Sequence, residues 1–283
     1  MYQYLTLANN ALLGLEKENR TGVNHIGYHD DMMKFNLAEG FPILTTKKVA
    51  FRMVVAEMLG FIRGYQSAAD FRALGCTVWD ANANDNQAWL NNPNRKGHDD
   101  LGRIYGVQAR DWGGAQVGLV RRAYDQLRKA IDDLSQGKDD RREIVTHWNP
   151  GELGLMALPP CHLLYQFGLQ GEFLNLCMYQ RSCDVPLGVP FNIVQYAWLL
   201  SVVAQITNHI PGTFTHFLHD IHVYKNQVEP LKEQLVRTPK TLPRLTINPG
   251  IKSLKDLETW VTPADFELVG YDPHPAIKFP FAV

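Results

Sequence analysis

Residues 161–184 read CHLLYQFGLQGEFLNLCMYQRSCD. Two runs rich in apolar, aromatic and alternating residues, 161–168 and 173–180, flank Gln170, Gly171 and Glu172, which predicts two strands joined by a tight turn. The next stretch, 191–208, is apolar almost all round and predicts a buried core helix. Its Asn192, Gln195, Ser201, Gln205 and Asn208 make it too polar to span a bilayer. A strand at about 213–224 and a helix up to Val236 follow. Strand, turn, strand, core helix and strand in that order predict a sheet covered by helices, the α+β class.

Upstream, apolar positions at helical spacing predict a helix over 3–18, ended by a turn at 18–22. Met33, Phe35 and Leu37 alternate with Lys34, Asn36 and Ala38 as in a strand. Residues 49–63 predict a buried helix, with further helices over 67–75 and 83–91 and a polar loop over 91–102. Residues 117–135 give the clearest amphipathic pattern, and 142–147 reads as a strand. Downstream of Val236 the Pro-rich tail predicts short strands and turns. No repeat or linker divides the chain, so residues 1–283 are expected to form a single domain.

The 283 residues are 45% hydrophobic, and 28 Lys and Arg against 29 Asp and Glu give a net charge of −1. A protein gripping a nucleic-acid backbone in bulk would carry a strong basic excess, so nucleic acid is not an expected partner. Cysteines at 76, 161, 177 and 183 form no CxxC pair. A disulfide scaffold and a Cys-rich zinc site are therefore not expected, and the expected metal content is none. The first residues show no basic-then-apolar leader. The expected compartment is reducing and cytoplasmic, with no membrane partner.

Four features carry chemistry. Cys161 beside His162, after Pro159 and Pro160, reads either as a small core residue or as a thiolate nucleophile activated by nearby cations. Arg181 and Ser182, with Arg20, Arg141 and Arg142, are the side chains a phosphate monoester needs, though any one Arg is as well explained by solvent. Glu57, inside the apolar run 53–61, is either on a wet stripe or held for function. His216, Asp220, His222 and Tyr224 share one strand face, with His219 opposite, and suit hydrogen bonds to hydroxyls better than zinc.

Taken together these residues resemble the thymidylate synthase family over nearly the whole chain. The match runs through 19–22 (NRTG), 41–48 (FPILTTKK), 104–108 (IYGVQ), 140–142 (DRR), 157–162 (ALPPCH), 179–184 (YQRSCD), 187–192 (LGVPFN), 220–224 (DIHVY) and 270–275 (GYDPHP). The resemblance implies a mixed sheet packed with helices, one sheet face forming a homodimer interface. It also implies reductive methylation of dUMP to dTMP with 5,10-methylenetetrahydrofolate, through a covalent bond from Cys161 to C6 of the base. By the same resemblance Arg20, Arg181, Ser182 and Asp184 belong to the dUMP site, with Arg141 and Arg142 supplied across the interface. Asn192 reads the uracil amide edge, and His222 and Tyr224 hold the 3′-hydroxyl. Glu57, Tyr105 and His162 order water and move protons. Lys47, Trp79, Asp184, Leu187, Gly188, Phe191, Ala282 and Val283 face the folate.

The chain departs from the family pattern at Ala109 and Gly60, where Trp is usual, at Asn82, where a second Trp is common, at Ala50, often His, and at Leu218-His219, where glycine is usual. Three smaller side chains and one added imidazole leave a second reading open, a dUMP 5-hydroxymethylase in which water attacks the methylene intermediate with help from His219. A non-catalytic nucleotide- or RNA-binding protein is the third.

Overall fold

The turn at 170–172 is made by Gly171, whose φ of 62° lies in the left-handed region that favours glycine. It joins two of the six strands of the main sheet: β1 (Leu15–Lys17), β2 (His25–Asn36), β3 (Ile144–Thr146), β4 (His162–Gln170), β5 (Phe173–Asp184) and β6 (Ile210–Tyr224). Their order is β1-β2-β6-β5-β4-β3. All neighbours are antiparallel except β5 and β6, which run parallel and so need a crossover, supplied by the long helix Gly188–Ile206. The structure is a computed structural model and describes residues 1–19, 22–113, 116–117, 120–121 and 123–280.

One face of the sheet is covered. Helix α1 (Tyr2–Leu12) and helix α3 (Gly188–Ile206) pack there, helix α2 (Phe51–Ile62) packs on α3, and α3 buries Val189, Ile193, Val194, Trp198, Leu200 and Val203 among its many enclosed residues. That accounts for its apolar character on every side: it is a core helix, long enough to cross a membrane but enclosed by protein. The other face is open. Met32, Phe217, Tyr179 and Leu164 are direct cross-strand neighbours on four successive strands and all are exposed.

Several expectations need correction. The first helix stops at Leu12, and residues 15–17 instead pair with β2. Gly14 allows this, since a Cβ there would meet the Gly27 carbonyl oxygen at 2.1 Å. In place of one helix over 83–91 there are two short helical segments, Asp80–Asn84 and Gln87–Leu90. The amphipathic helix begins only at Gln126, where Asp125 caps it by accepting from the Arg128 N–H. Gln116–Val117 and Val120–Arg121 pair as short strands before it. The tail holds a helix, Leu254–Thr259, capped by Ser253, between the paired strands Arg244–Ile247 and Phe266–Val269.

Candidate active site

Where β4 begins and β5 and β6 end, a cavity of about 710 Å³ opens. Its polar lining includes Asn19, His25, Arg181, Ser182, Asp220, His222 and Tyr224, and its apolar lining Trp89, Trp148, Leu153, Met156 and Leu158. Cys161 also lines it, partly exposed, at the last position before β4. A lining that combines charged and hydroxyl-binding groups with aromatic ones suits a sugar phosphate carrying a planar base.

The loop that presents Cys161 is tied from both sides. Its N–H donates to the Tyr105 hydroxyl at 2.6 Å, and its carbonyl accepts from the Arg181 N–H at 2.9 Å. The Arg181 guanidinium donates from Nε to the Pro160 carbonyl at 2.8 Å and from Nη2 to the Pro159 carbonyl at 3.2 Å. Trp148 lies 5.3 Å from that guanidinium, within cation–π range. Tyr105 reaches the loop because Gly106 lets its short helix close on α2: a Cβ at 106 would sit 2.4 Å from the Phe61 carbonyl oxygen.

Beneath the cavity runs a chain of buried polar side chains with one direction. Gln180 Nε2 donates to the Ser182 carbonyl and to Asn192 Oδ1, both at 2.9 Å. A carbonyl only accepts, so the Gln180 amide has one orientation, and His216 Nε2 must donate to its Oε1 at 2.8 Å. Asn192 Nδ2 then donates to Gln195 Oε1 at 3.0 Å, and Gln195 Nε2 donates to Glu57 Oε2 at 2.6 Å. The other Glu57 oxygen accepts from Trp79 Nε1 at 2.9 Å.

Burial pushes the Glu57 carboxyl up to about 7, against the pull of the Trp79 N–H. It is a group able to hold or release a proton near neutrality. The imidazoles nearby are neutral. Burial takes His162 down to about 3, aided by His147 and His216 and opposed by a bond to Asn192, and takes His147 down to about 4. Glu57 is therefore not on a wet stripe; it is a sealed, hydrogen-bonded group.

A second cluster gathers at the turn between β5 and α3. Asp184 accepts from the Leu187 N–H at 3.1 Å and from Gln227 Nε2 at 3.3 Å, and Gln227 also donates to the Pro280 carbonyl at 2.9 Å. The Lys47 ammonium donates to the Pro186 carbonyl and lies 4.3 Å from the Phe279 ring centre. Burial lowers its pKa to about 8.

A thymidylate synthase family model matches residues 2–283. The chain belongs to the thymidylate synthase family. Among its relatives, a thymidylate synthase of Shewanella pealeana is 51% identical over 287 residues, covering all of both chains, and one of Photobacterium profundum is likewise 51% identical over the full length of both. One of Idiomarina loihiensis is 52% identical over 94% of each chain. In thymidylate synthase terms the expected residues fall into three groups. Cys161, Arg181, Ser182, His222 and Tyr224 line the cavity, while Tyr105, His162, Asn192, Glu57 and Trp79 lie in the buried layer behind it. Lys47, Asp184, Leu187, Gly188 and Phe191 surround the turn before α3.

Arg141 and Arg142 do not line the cavity. They are exposed ahead of β3, and the β3–β4 register puts Arg142 level with Gly168, about seven strand residues and on the order of 20 Å from Cys161. Arg20, Ala282 and Val283 lie outside the described residues. Sequence reasoning missed Asn19, His25, His147, Gln180 and Gln195. Gln195 left a signal, since it stands three residues after Asn192 on the same helix face.

The departures take a different meaning in three dimensions. The space at Gly60 is not empty: a Cβ there would meet the Phe71 ring at 2.3 Å. His219 does not line the cavity; its Nδ1 lies 2.8 Å from Asp30 Oδ1. Two supports of the hydroxymethylase reading, vacated space at Gly60 and a water-activating His219, are removed by these placements. Among the described residues no group of three or more His, Cys, Asp and Glu side chains is placed to hold a metal ion.

Proposed function

We propose that the chain converts dUMP to dTMP, taking a one-carbon unit and a hydride from 5,10-methylenetetrahydrofolate and releasing dihydrofolate. The observation that carries this reading is Cys161 in the cavity wall, tied to Tyr105, whose ring packs against His162 and against the Trp79 that donates to Glu57, the end of a one-directional chain from Asn192. Cys161 Sγ adds to C6 of the base. Asn192, held by Gln180 and Gln195, presents its amide to the uracil O4 and N3–H, a pair that needs one donor and one acceptor. Glu57, with Tyr105 and neutral His162, handles protons at O4 and C5. Arg181 and Ser182, with Arg20, bind the phosphate, Asp184 supports that site, and His222 and Tyr224 hold the sugar hydroxyl.

The folate is a substrate that supplies the methylene carbon and the reducing hydride. Trp79, Leu187, Gly188, Phe191 and Asp184 are assigned to its side of the site, Lys47 to its carboxylate tail, and Ala282 and Val283 to closure over it. The aromatic and apolar part of the cavity lining fits a molecule with an aromatic ring system. The active unit is a homodimer of 1–283 single-domain chains. The exposed row Met32, Phe217, Tyr179 and Leu164 supports that reading, as does the distance of Arg141 and Arg142 from their own chain's cavity. Mass measurement of the nucleotide product, with dihydrofolate absorbance followed in parallel, tests the reaction. A methyl product with stoichiometric dihydrofolate is expected, and a hydroxymethyl product or no turnover overturns it.

A further inference from the structure

His25 has no counterpart in the roles assigned so far. It is buried, opens β2, pairs with Tyr224 across the β2–β6 ladder and lines the cavity. Its ring centre lies 5.1 Å from that of His222 and 6.3 Å from that of Tyr224. The tautomer of each imidazole, in its neutral form, can be read from its partners.

Asn19 Nδ2 donates to the Val23 carbonyl at 2.8 Å and reaches His25 Nδ1 at 2.8 Å. The carbonyl only accepts, so the Asn19 amide has a single orientation and its nitrogen faces His25. His25 Nδ1 is then an acceptor, and the ring proton sits on Nε2. That nitrogen has no partner among the described residues, and it is not among the sealed polar atoms that lack one, so it opens toward the cavity it lines. His222 is the reverse. Its Nδ1 lies 2.8 Å from Asp220 Oδ1 and 3.2 Å from the Asp220 carbonyl. Both are acceptors, so Nδ1 carries the proton and, in the neutral ring, Nε2 accepts.

A hydroxyl group needs one acceptor for its proton and a donor for its oxygen. From this pairing of opposite tautomers we infer that His25 is a further substrate-binding residue, donating from Nε2 to the nucleotide's 3′-hydroxyl oxygen while His222 accepts the hydroxyl proton. The inference rests on the dUMP reading above and adds a group to its sugar site. Burial lowers the His25 pKa, which favours the neutral ring.

The test compares dissociation constants for dUMP and for 2′,3′-dideoxyuridine monophosphate in the parent and in His25→Phe, by titration calorimetry. Phe keeps a ring and removes the donor. Loss of one neutral hydrogen bond weakens dUMP binding about five- to tenfold. The dideoxy nucleotide, which has no 3′-oxygen to accept, should bind His25→Phe and the parent alike. The preference for dUMP therefore narrows by the same factor. His25→Gln, which restores an N–H at similar reach, should recover part of it. Equal weakening for both nucleotides would place His25 on the phosphate or in the structure and overturn the inference, as would no change for either. Turnover of dUMP by the parent is measured separately, so failure of the reaction reading is told apart from failure at His25.

Discussion

Glu57 is where a single residue has the largest consequences. In water its carboxyl would ionise near 4.5; in the fold burial raises this to about 7. Between those values the folded chain holds a proton that the unfolded chain has released, so stability falls as pH rises through that window and is flat above it. The change corresponds to roughly 3 kcal/mol. Glu57→Gln, which cannot ionise, should lose this dependence: urea unfolding of parent and variant should converge or cross between pH 4.5 and 7 by about that amount, while turnover falls a hundredfold or more. A parallel pH dependence in both proteins would show that Glu57 is not the group responsible. Cys161→Ser makes the complementary prediction. A hydroxyl tied to no strong base is a poor nucleophile, so turnover should fall on the order of a thousandfold or more with dUMP affinity held within a few fold. Loss of affinity in proportion would make Cys161 a structural residue. Cys161 and Arg181 were legible in sequence because their chemistry is unusual next to Pro159 and Ser182. His25 and Gln180 were not, because their roles depend on which neighbour their polar atoms meet.

At the scale of elements, α3 does two jobs. One turn of it carries both Asn192 and Gln195, and so connects the Asn192 amide to the Glu57 carboxyl. Gln195→Leu removes the donor to Glu57 and the acceptor for Asn192, freeing the Asn192 amide to turn over. The expected result is at least tenfold lower kcat/KM for dUMP, with the acid limb of the pH profile moved to higher pH, since the ionised carboxylate has lost a hydrogen bond. An unmoved pH profile would deny the link. The β4–β5 hairpin and the all-round apolar α3 could be read from the sequence, because Gly171 and uninterrupted hydrophobicity are local signals. The strand at 15–17 could not, since Gly14 is needed only for an approach to Gly27 that is long-range in the chain. The extended N-terminal limit drawn for the 117–135 helix failed for a local reason, the Asp125 cap, which periodicity alone outvotes.

For the whole molecule the proposed dimer makes a quantitative prediction. Cys161→Ala homodimers should be inactive and Arg142→Ala homodimers severely impaired. When equal amounts are unfolded and refolded together, half the dimers are mixed, and each mixed dimer has one site with both groups intact. Activity should return to about a quarter of the parent value. Mixed dimers, verified by mass, that stay as inactive as the average of the two variants would put Arg142 in its own chain's site. The covered and open faces of the sheet were implied by the family resemblance; which residues make the open row became visible only with the strand register.

The sheet order also sets a timetable for synthesis. Strand β2 is made early, yet its long pairing is with β6, whose first residue follows its last by 174 positions. At roughly 5–20 residues per second, a ribosome holds that gap open for about 10 to 35 seconds. Throughout that interval Met33 and Phe35, both buried in the finished fold, have no β6 to lie beside. The nascent N-terminal third should therefore be a client for holding chaperones, and its aggregation during translation should rise when elongation is slowed between codons 37 and 209.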